Sequence, residues 1–347
     1  MTQTLNVALV GYGLAGRHFH APLISSVDGL RLAVVISRQT DKIRADHPEA
    51  APVTSPDDAF ADPSVDLVVI ATTNNAHFDL AARALDHGKH VVVDKPFAVT
   101  STDARELVRR SKHAGRLLSV FHNRRWDSDY LTVRRLISQG ELGEIVYFES
   151  HFDRYRPKPT GNWREKAGPA AGLWFDLAPH LVDQALCLFG MPRALFADFA
   201  VLRDGVSATD YFHVLMRYEK LRVVLTANFL APADDLNLVV HGTRASYVKH
   251  GFDSQEAVLR AGGRPSGFQW GVDQRDGVLR LPDGTERVVP SERGDYTRYY
   301  AGVRDAILGV GPLPVTAEEA LAVMDIIECG ERSAADHTEV QVMASVT

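Results

Sequence analysis

The chain has 347 residues, 45% of them hydrophobic and 24% charged, enough apolar material for a full core and a length that favours two domains over one. A formal charge of −6 exerts no bulk pull on nucleic acid or anionic lipid, so neither is expected as a partner. The two cysteines, Cys187 and Cys329, lie in apolar helical patterns and read as core residues, so no disulfide framework and no metal site is expected. No apolar run approaches the roughly 18 residues of a membrane span. The first glycine turn follows Met1 too closely for a signal peptide, which leaves a cytoplasmic protein as the expectation.

From residue 5 to about 121, short β-branched runs alternate with longer helical stretches, the rhythm of parallel strands joined by crossover helices. Strands are expected at Asn6–Val10, Leu32–Ile36, Leu67–Ala71, His90–Val93 and Leu117–Phe121. Helices are expected at 14–27, 75–87 and 101–114, the last capped by Ser101 and Thr102. This is an α/β layout, a doubly wound Rossmann domain over residues 1–121. Beyond it the strands lengthen, at 144–152, 211–219, 222–230 and 236–241, and imply an α+β domain over 122–347 with a large, mostly antiparallel open sheet. Alternation in Asp210–Glu219 sets Phe212, Val214, Met216 and Tyr218 opposite Tyr211, His213, Leu215 and Arg217. Val223–Leu230 is apolar on nearly both faces, which suits a sheet covered by another subunit and leads to the expectation of a homodimer or homotetramer through this sheet. Ala261–Gly271 reads as a loop.

The motif Gly-x-Gly-x-x-Gly at Gly11, Gly13 and Gly16 is a weak signal alone, but it stands where the first strand meets the first helix. Glycine at these places permits the tight turn, lets a pyrophosphate approach the backbone, and brings helix close to strand. A dinucleotide cofactor is therefore expected. The second strand ends in Ser37-Arg38 in place of the carboxylate that would hold the ribose hydroxyls of NAD. A guanidinium can pair with a 2′-phosphate, so NADP is favoured and NAD is the weaker alternative. Arg38 could otherwise be a solvated surface arginine.

The chain holds no Tyr-x-x-x-Lys, and it lacks the cysteines of a zinc alcohol dehydrogenase, so another group must move the proton. Asp94-Lys95-Pro96 directly follows an apolar strand, which brings Lys95 to the carboxyl end of the sheet, where doubly wound folds bind ligands. Asp176 and His180, four apart in a helical stretch, share one face, with His180 as a candidate general base and Asp176 near enough to orient it or bind substrate. Bland readings stand beside these: a surface lysine, a simple i,i+4 pair, or two metal ligands lacking a third. His18 and His20 point different ways and read as structural.

Placed after this glycine turn, these residues give the whole chain a resemblance to the glucose-fructose oxidoreductase/inositol dehydrogenase/MocA family. Gly11, Gly13 and Gly16 match its glycine motif, Asp94-Lys95-Pro96 its Glu-Lys-Pro, and Asp176 with His180 its Asp-x-x-x-His. The resemblance implies that Lys95 and His180 assist proton transfer from a substrate hydroxyl while hydride passes to the nicotinamide. Two departures are an aspartate at 94 for the usual glutamate and a glycine-poor stretch before Asp176. The segments VVVDKPF, SVFHNRRWDSDY and YFESHFDRYRP are most similar to the NADP-dependent scyllo-inositol dehydrogenase branch, which implies oxidation of a cyclic polyol. Asn123, Arg124, Tyr155, Trp163 and Tyr296 are candidates to line the polyol pocket with Lys95, Asp176 and His180. Cofactor candidates beyond the glycines, Ser37 and Arg38 are Leu14, Ala15, Thr72, Asn74, His77, Asp94, Lys95 and Asn123. A related sugar dehydrogenase or ketoreductase would use the same residues. A nicotinamide-sensing regulator would need none of Lys95, Asp176 and His180, and a redox-assisted glycosidase would retain its NAD.

Overall fold

The computed structural model describes residues 3–232 and 235–342. Six strands, β1 (Leu5–Val10), β2 (Leu30–Ile36), β3 (Ala51–Val53), β4 (Leu67–Ile70), β5 (His90–Val93) and β6 (Leu118–Val120), form one parallel sheet in the order β3-β2-β1-β4-β5-β6. Helices α1 (Ala21–Ser25), α2 (Thr40–Asp46), α3 (Pro56–Ala61), α4 (His77–Asp86) and α5 (Ser101–Ala114) supply the crossovers. Every residue of β4 is buried, as expected of a central parallel strand covered on both faces.

The expected helix over 14–27 runs from residue 14 to Ser25, with a π-helical turn at Gly16–His20. The last crossover is capped by Thr100 rather than by Ser101 or Thr102: Thr100 is extended and its hydroxyl accepts the Asp103 N–H at 3.1 Å. β3, α2 and α3 were not expected; they are short, and the three-residue β3 carries a proline on an edge strand.

The second sheet has nine strands: β7 (Ile145–His151), β8 (Ala194–Ala200), β9 (Tyr211–Arg217), β10 (Arg222–Asn228), β11 (Leu236–Gly242), β12 (Ser246–His250), β13 (Gly277–Arg280), β14 (Glu286–Val289) and β15 (Val340–Gln341). Their order is β14-β13-β12-β11-β7-β10-β9-β8-β15, antiparallel except where β7 meets β10. Phe212, Val214 and Met216 are buried, and His213 and Arg217 are exposed, as the alternation in β9 requires. Helix α6 (Ser128–Ser138) precedes this sheet, and α7 (Gly172–Phe189) packs on its inner face, where the Trp174 ring meets Phe212 edge-on at 5.1 Å.

The chain divides into two compact units, residues 1–126, 254–270 and 295–321 in the first and 127–253, 271–294 and 322–347 in the second. Two segments beyond the expected boundary at 121 thus return to the first unit. Leu259, Trp270, Tyr296, Tyr299, Tyr300, Val303 and Val315 are buried in one core with Leu5, Val7 and Leu9 of β1. The expected loop at 261–271 lies, but for Gly271, within the first of these segments and carries neither helix nor strand. The cysteines also part company: Cys329 is buried, whereas Cys187 is exposed near the end of α7 and is no core residue.

Candidate active site

The glycine turn occupies the place where the sheet order reverses between β1 and β4, the crevice that open α/β sheets use for ligands. Gly11 has φ of +100°, and a Cβ there would fall 2.3 Å from the Ala71 carbonyl oxygen. A Cβ on Gly16 would lie 2.0 Å from the Gly11 oxygen. These two glycines thus permit contact between turn, strand end and helix that no other residue allows. Gly13 has open space beside it, so the bare backbone there is accessible to a ligand. Leu14 is exposed and Ala15 half-buried at the same edge. A turn closed by two glycines and open at the third, leading into a helix start, fits a dinucleotide pyrophosphate.

A cluster not anticipated from sequence fixes this turn. Arg17, next to Gly16, donates through Nε and Nη2 to both carboxylate oxygens of Asp46, at 2.7 and 3.3 Å, and the buried Tyr12 hydroxyl donates to Asp46 Oδ2 at 2.9 Å. The hydrogen bond from Arg17 holds the Asp46 carboxyl below its ordinary range against the effect of burial. Its only sequence signal is an arginine after the third glycine; the partner lies 29 positions away.

Ser37 and Arg38 follow β2 directly. The Ser37 N–H donates to Val53 O at 2.9 Å and its hydroxyl accepts the Gln39 N–H at 3.2 Å, so the turn is built locally. Arg38 is exposed and makes no side-chain hydrogen bond or ion pair among the described residues.

At the end of β5, the Asp94 Oδ1 accepts the N–H of Lys95 at 2.8 Å, and Lys95 itself is half-buried. Asn74 and His77, cofactor candidates, are both buried, while Thr72 is half-buried. His77 donates from Nδ1 to the Pro96 carbonyl at 2.9 Å, so it braces the turn that carries Lys95. Burial pushes its imidazole below the ordinary value, keeping the ring neutral. Asn123 is half-buried at the start of a 3₁₀ turn, Asn123–Trp126.

Two pocket candidates in this unit are corrected. Tyr296 has no exposed surface and lies in the core, its ring edge-on to Trp270 at 6.3 Å, so no ligand reaches it. Arg124 is buried and ion-paired with Glu256, tying its 3₁₀ turn to the helix at Gln255–Arg260.

In the second unit α7 carries Asp176 and His180 on one face, four residues apart. The helix begins where Gly172 adopts φ of +84°, a conformation that lets the Leu173 N–H reach Thr209 O at 2.6 Å. Trp174, Leu177, Ala178, Leu181, Val182 and Ala185 form its buried side. Pro179 lies inside the helix and donates no hydrogen bond to the carbonyl of Phe175. His180 is buried and Asp176 is about one-third exposed.

A short turn, Trp163–Glu165, brings a second group of residues to Asp176. Arg164 Nε lies 3.5 Å from Asp176 Oδ1, and the Arg164 guanidinium covers the half-exposed Trp163 ring at 4.6 Å. Tyr155 is 58% exposed and bridges to Leu230. This unit therefore offers a carboxylate, an imidazole, a guanidinium and an indole face together, while Tyr155 stands open to solvent. Among the described residues no group of three histidine, cysteine or acidic side chains is arranged to hold a metal ion, and no helix is long and apolar enough to cross a membrane.

Residues 5–122 match the model of an oxidoreductase family with an NAD-binding Rossmann fold, and residues 134–342 match the C-terminal alpha/beta domain of the same family. The uncharacterized oxidoreductase YdgJ of Escherichia coli K12 is 51% identical over 337 residues, 96% of this chain and 97% of that protein. The NADP-dependent scyllo-inositol 2-dehydrogenase IolW of Bacillus subtilis 168 is 37% identical over 335 residues, 95% of this chain and 94% of its own length. The solved structure of YPO2259 from Yersinia pestis superposes with a TM-score of 0.96 at 48% identity, covering 99% of each chain. Both halves of the chain and its full-length relatives agree: this protein belongs to the Gfo/Idh/MocA family of oxidoreductases.

Proposed function

We propose that this oxidoreductase uses NADP to interconvert a cyclic polyol and its ketone, with scyllo-inositol as the substrate. The observation that carries the reading is a lysine after β5, on the sheet that bears the glycine cradle, together with a carboxylate and an imidazole on one face of α7. The likeness to IolW over 95% of the chain supports the polyol. The guanidinium of Arg38, without a partner among the described residues and with no carboxylate at the end of β2, supports the 2′-phosphate.

When bound, the nicotinamide supplies the hydride acceptor. The protein's residues do the rest. Lys95 holds the reacting hydroxyl and stabilises charge that develops on its oxygen. His180 takes the hydroxyl proton as general base, and Asp176 binds a neighbouring hydroxyl or orients the imidazole. Trp163 offers an apolar face to the ring carbons, and Tyr155 is a further wall residue. In the reducing direction His180 returns the proton. The test is reduction of NADP in the presence of scyllo-inositol, with other inositol isomers and pyranoses alongside. Faster turnover of a pyranose would move the protein to the related sugar dehydrogenases, and no turnover of any polyol or sugar would defeat the reading.

We also propose that a second copy covers the outer face of the nine-stranded sheet. Phe196, Leu215, Val224, Val239, Val248, Val278 and Val288 stand in register across seven strands, interrupted only by Glu149 of β7. Phe196 and Val288 are 39% and 63% exposed, so the two ends of an apolar row lie open.

A further inference from the structure

His20 reads from sequence as a structural residue, yet its surroundings are polar and specific. It is wholly buried at the end of the π-helical turn, with its ring 4.4 Å from that of Phe121, centroid to centroid. Its Nδ1 lies 2.6 Å from the Tyr300 hydroxyl. Burial pushes the Tyr300 phenol well above its ordinary value, so the hydroxyl keeps its proton. His20 Nδ1 is the acceptor it has among the described residues. Donation from Tyr300 to Nδ1 leaves the imidazole proton on Nε2.

That Nε2 faces Asp94 Oδ2 at 3.7 Å, with no hydrogen-bond partner among the described residues. The separation exceeds a full hydrogen bond, but a buried N–H dipole aimed at a carboxylate acts strongly in a low dielectric. The other oxygen of the same carboxylate holds the Lys95 N–H. Burial raises the Asp94 carboxyl, and the facing His20 N–H with the charge of Lys95 outweighs burial and holds it below the ordinary range. The charged and titratable groups that face Asp94 are thus His20, His77 and Lys95, with the phenols of Tyr299 and Tyr300 behind them.

We propose that His20 is a positioning residue: fixed in one tautomer by Tyr300, it clamps Asp94 against the backbone of Lys95 and so sets where the lysine emerges. The proposal rests on the reading of Lys95 as a catalytic group. Nothing in the glycine motif requires this histidine, and its two partners come from residues 74 and 280 positions further along the chain.

The test compares His20→Leu, His20→Gln, Tyr300→Phe and Lys95→Ala with the parent protein, using NADP and scyllo-inositol. Removing the donor in His20→Leu should lower kcat about tenfold or more and displace the pH profile of kcat, with KM for NADP within about twofold. Glutamine can place an amide N–H near the position of Nε2, so His20→Gln should recover most of kcat. Tyr300→Phe releases the tautomer and should fall between them. Independently of turnover, ring carbon and nitrogen NMR shifts of His20 should show the Nε2–H tautomer in the parent protein and its loss in Tyr300→Phe. A parental kcat and pH profile in His20→Leu would overturn the clamp, as would equal losses in the leucine and glutamine variants. If His20→Leu does not fold, parental turnover in Tyr300→Phe together with an Nδ1–H tautomer overturns it. Parental turnover in Lys95→Ala would instead remove the catalytic reading beneath it, and the clamp would go with it.

Discussion

Arg38 is the side chain on which the proposed use of NADP rests. It is exposed, has no partner of its own among the described residues, and follows a strand end without a carboxylate. One charge-assisted hydrogen bond to a phosphate contributes about 1.5–3 kcal/mol, roughly ten- to a hundredfold in affinity. Arg38→Ala should therefore raise Kd for NADP by that factor and leave Kd for NAD within about twofold; an unchanged NADP/NAD ratio in titration calorimetry would refute the assignment. Lys95→Ala and His180→Ala should each lower kcat by about a hundredfold or more with nearly constant NADP affinity, because acid–base groups act on the chemical step. Parental steady-state turnover in both variants would remove them from the mechanism. The glycines and the Asp94-Lys95 turn were legible because contiguous residues at a strand end carry them. Tyr296 and Arg124 were misread because burial and a partner 132 positions away decide their roles, and spacing reports neither.

Among the strands, several of the buried ones stood out in the sequence. β5 has the bounds expected of it, and β7, β9, β10 and β11 lie within two residues of theirs. β8, β12, β13, β14 and β15 were missed: the last four are five, four, four and two residues long, so apolar alternation has too little length to show, and three of the seven residues of β8 are alanine, a weak strand former. Helix α6 brings a testable electrostatic cost. Its Asp129 is buried, accepts the Tyr130 N–H at 2.6 Å and a bond from Asn237, and has its carboxyl pushed up to about 6 by burial and by Asp253. An unfolded aspartate titrates near 3.9, so the folded state holds this proton more tightly. Stability from this group is present below about pH 4, is lost as pH rises toward 6, and amounts to about 2–3 kcal/mol. Asp129→Asn cannot titrate and should show a shallower loss of stability across that window in urea titrations at stepped pH. A slope equal to that of the parent protein would contradict this.

For the chain as a whole, two compact units and an outer sheet face with an open apolar row define what can be tested in solution. Self-association through that face should give a mass in light scattering of at least twice the 38.2 kDa of one chain. Leu215→Glu, on the exposed side of β9, should reduce that mass toward the monomer, and a monomeric parent protein would remove the proposal. The return of residues 254–270 and 295–321 to the first unit was not legible, because a core assembled from distant segments leaves no local periodicity. The central claim is hydride transfer from a polyol carbon to a nicotinamide held at the glycine turn. Incubation with NADP and scyllo-inositol fully deuterated on its ring carbons, followed by mass spectrometry of the cofactor, tests it most directly. One deuterium should appear on the reduced nicotinamide of each product molecule; cofactor that stays oxidised, or is reduced without label, would contradict the account.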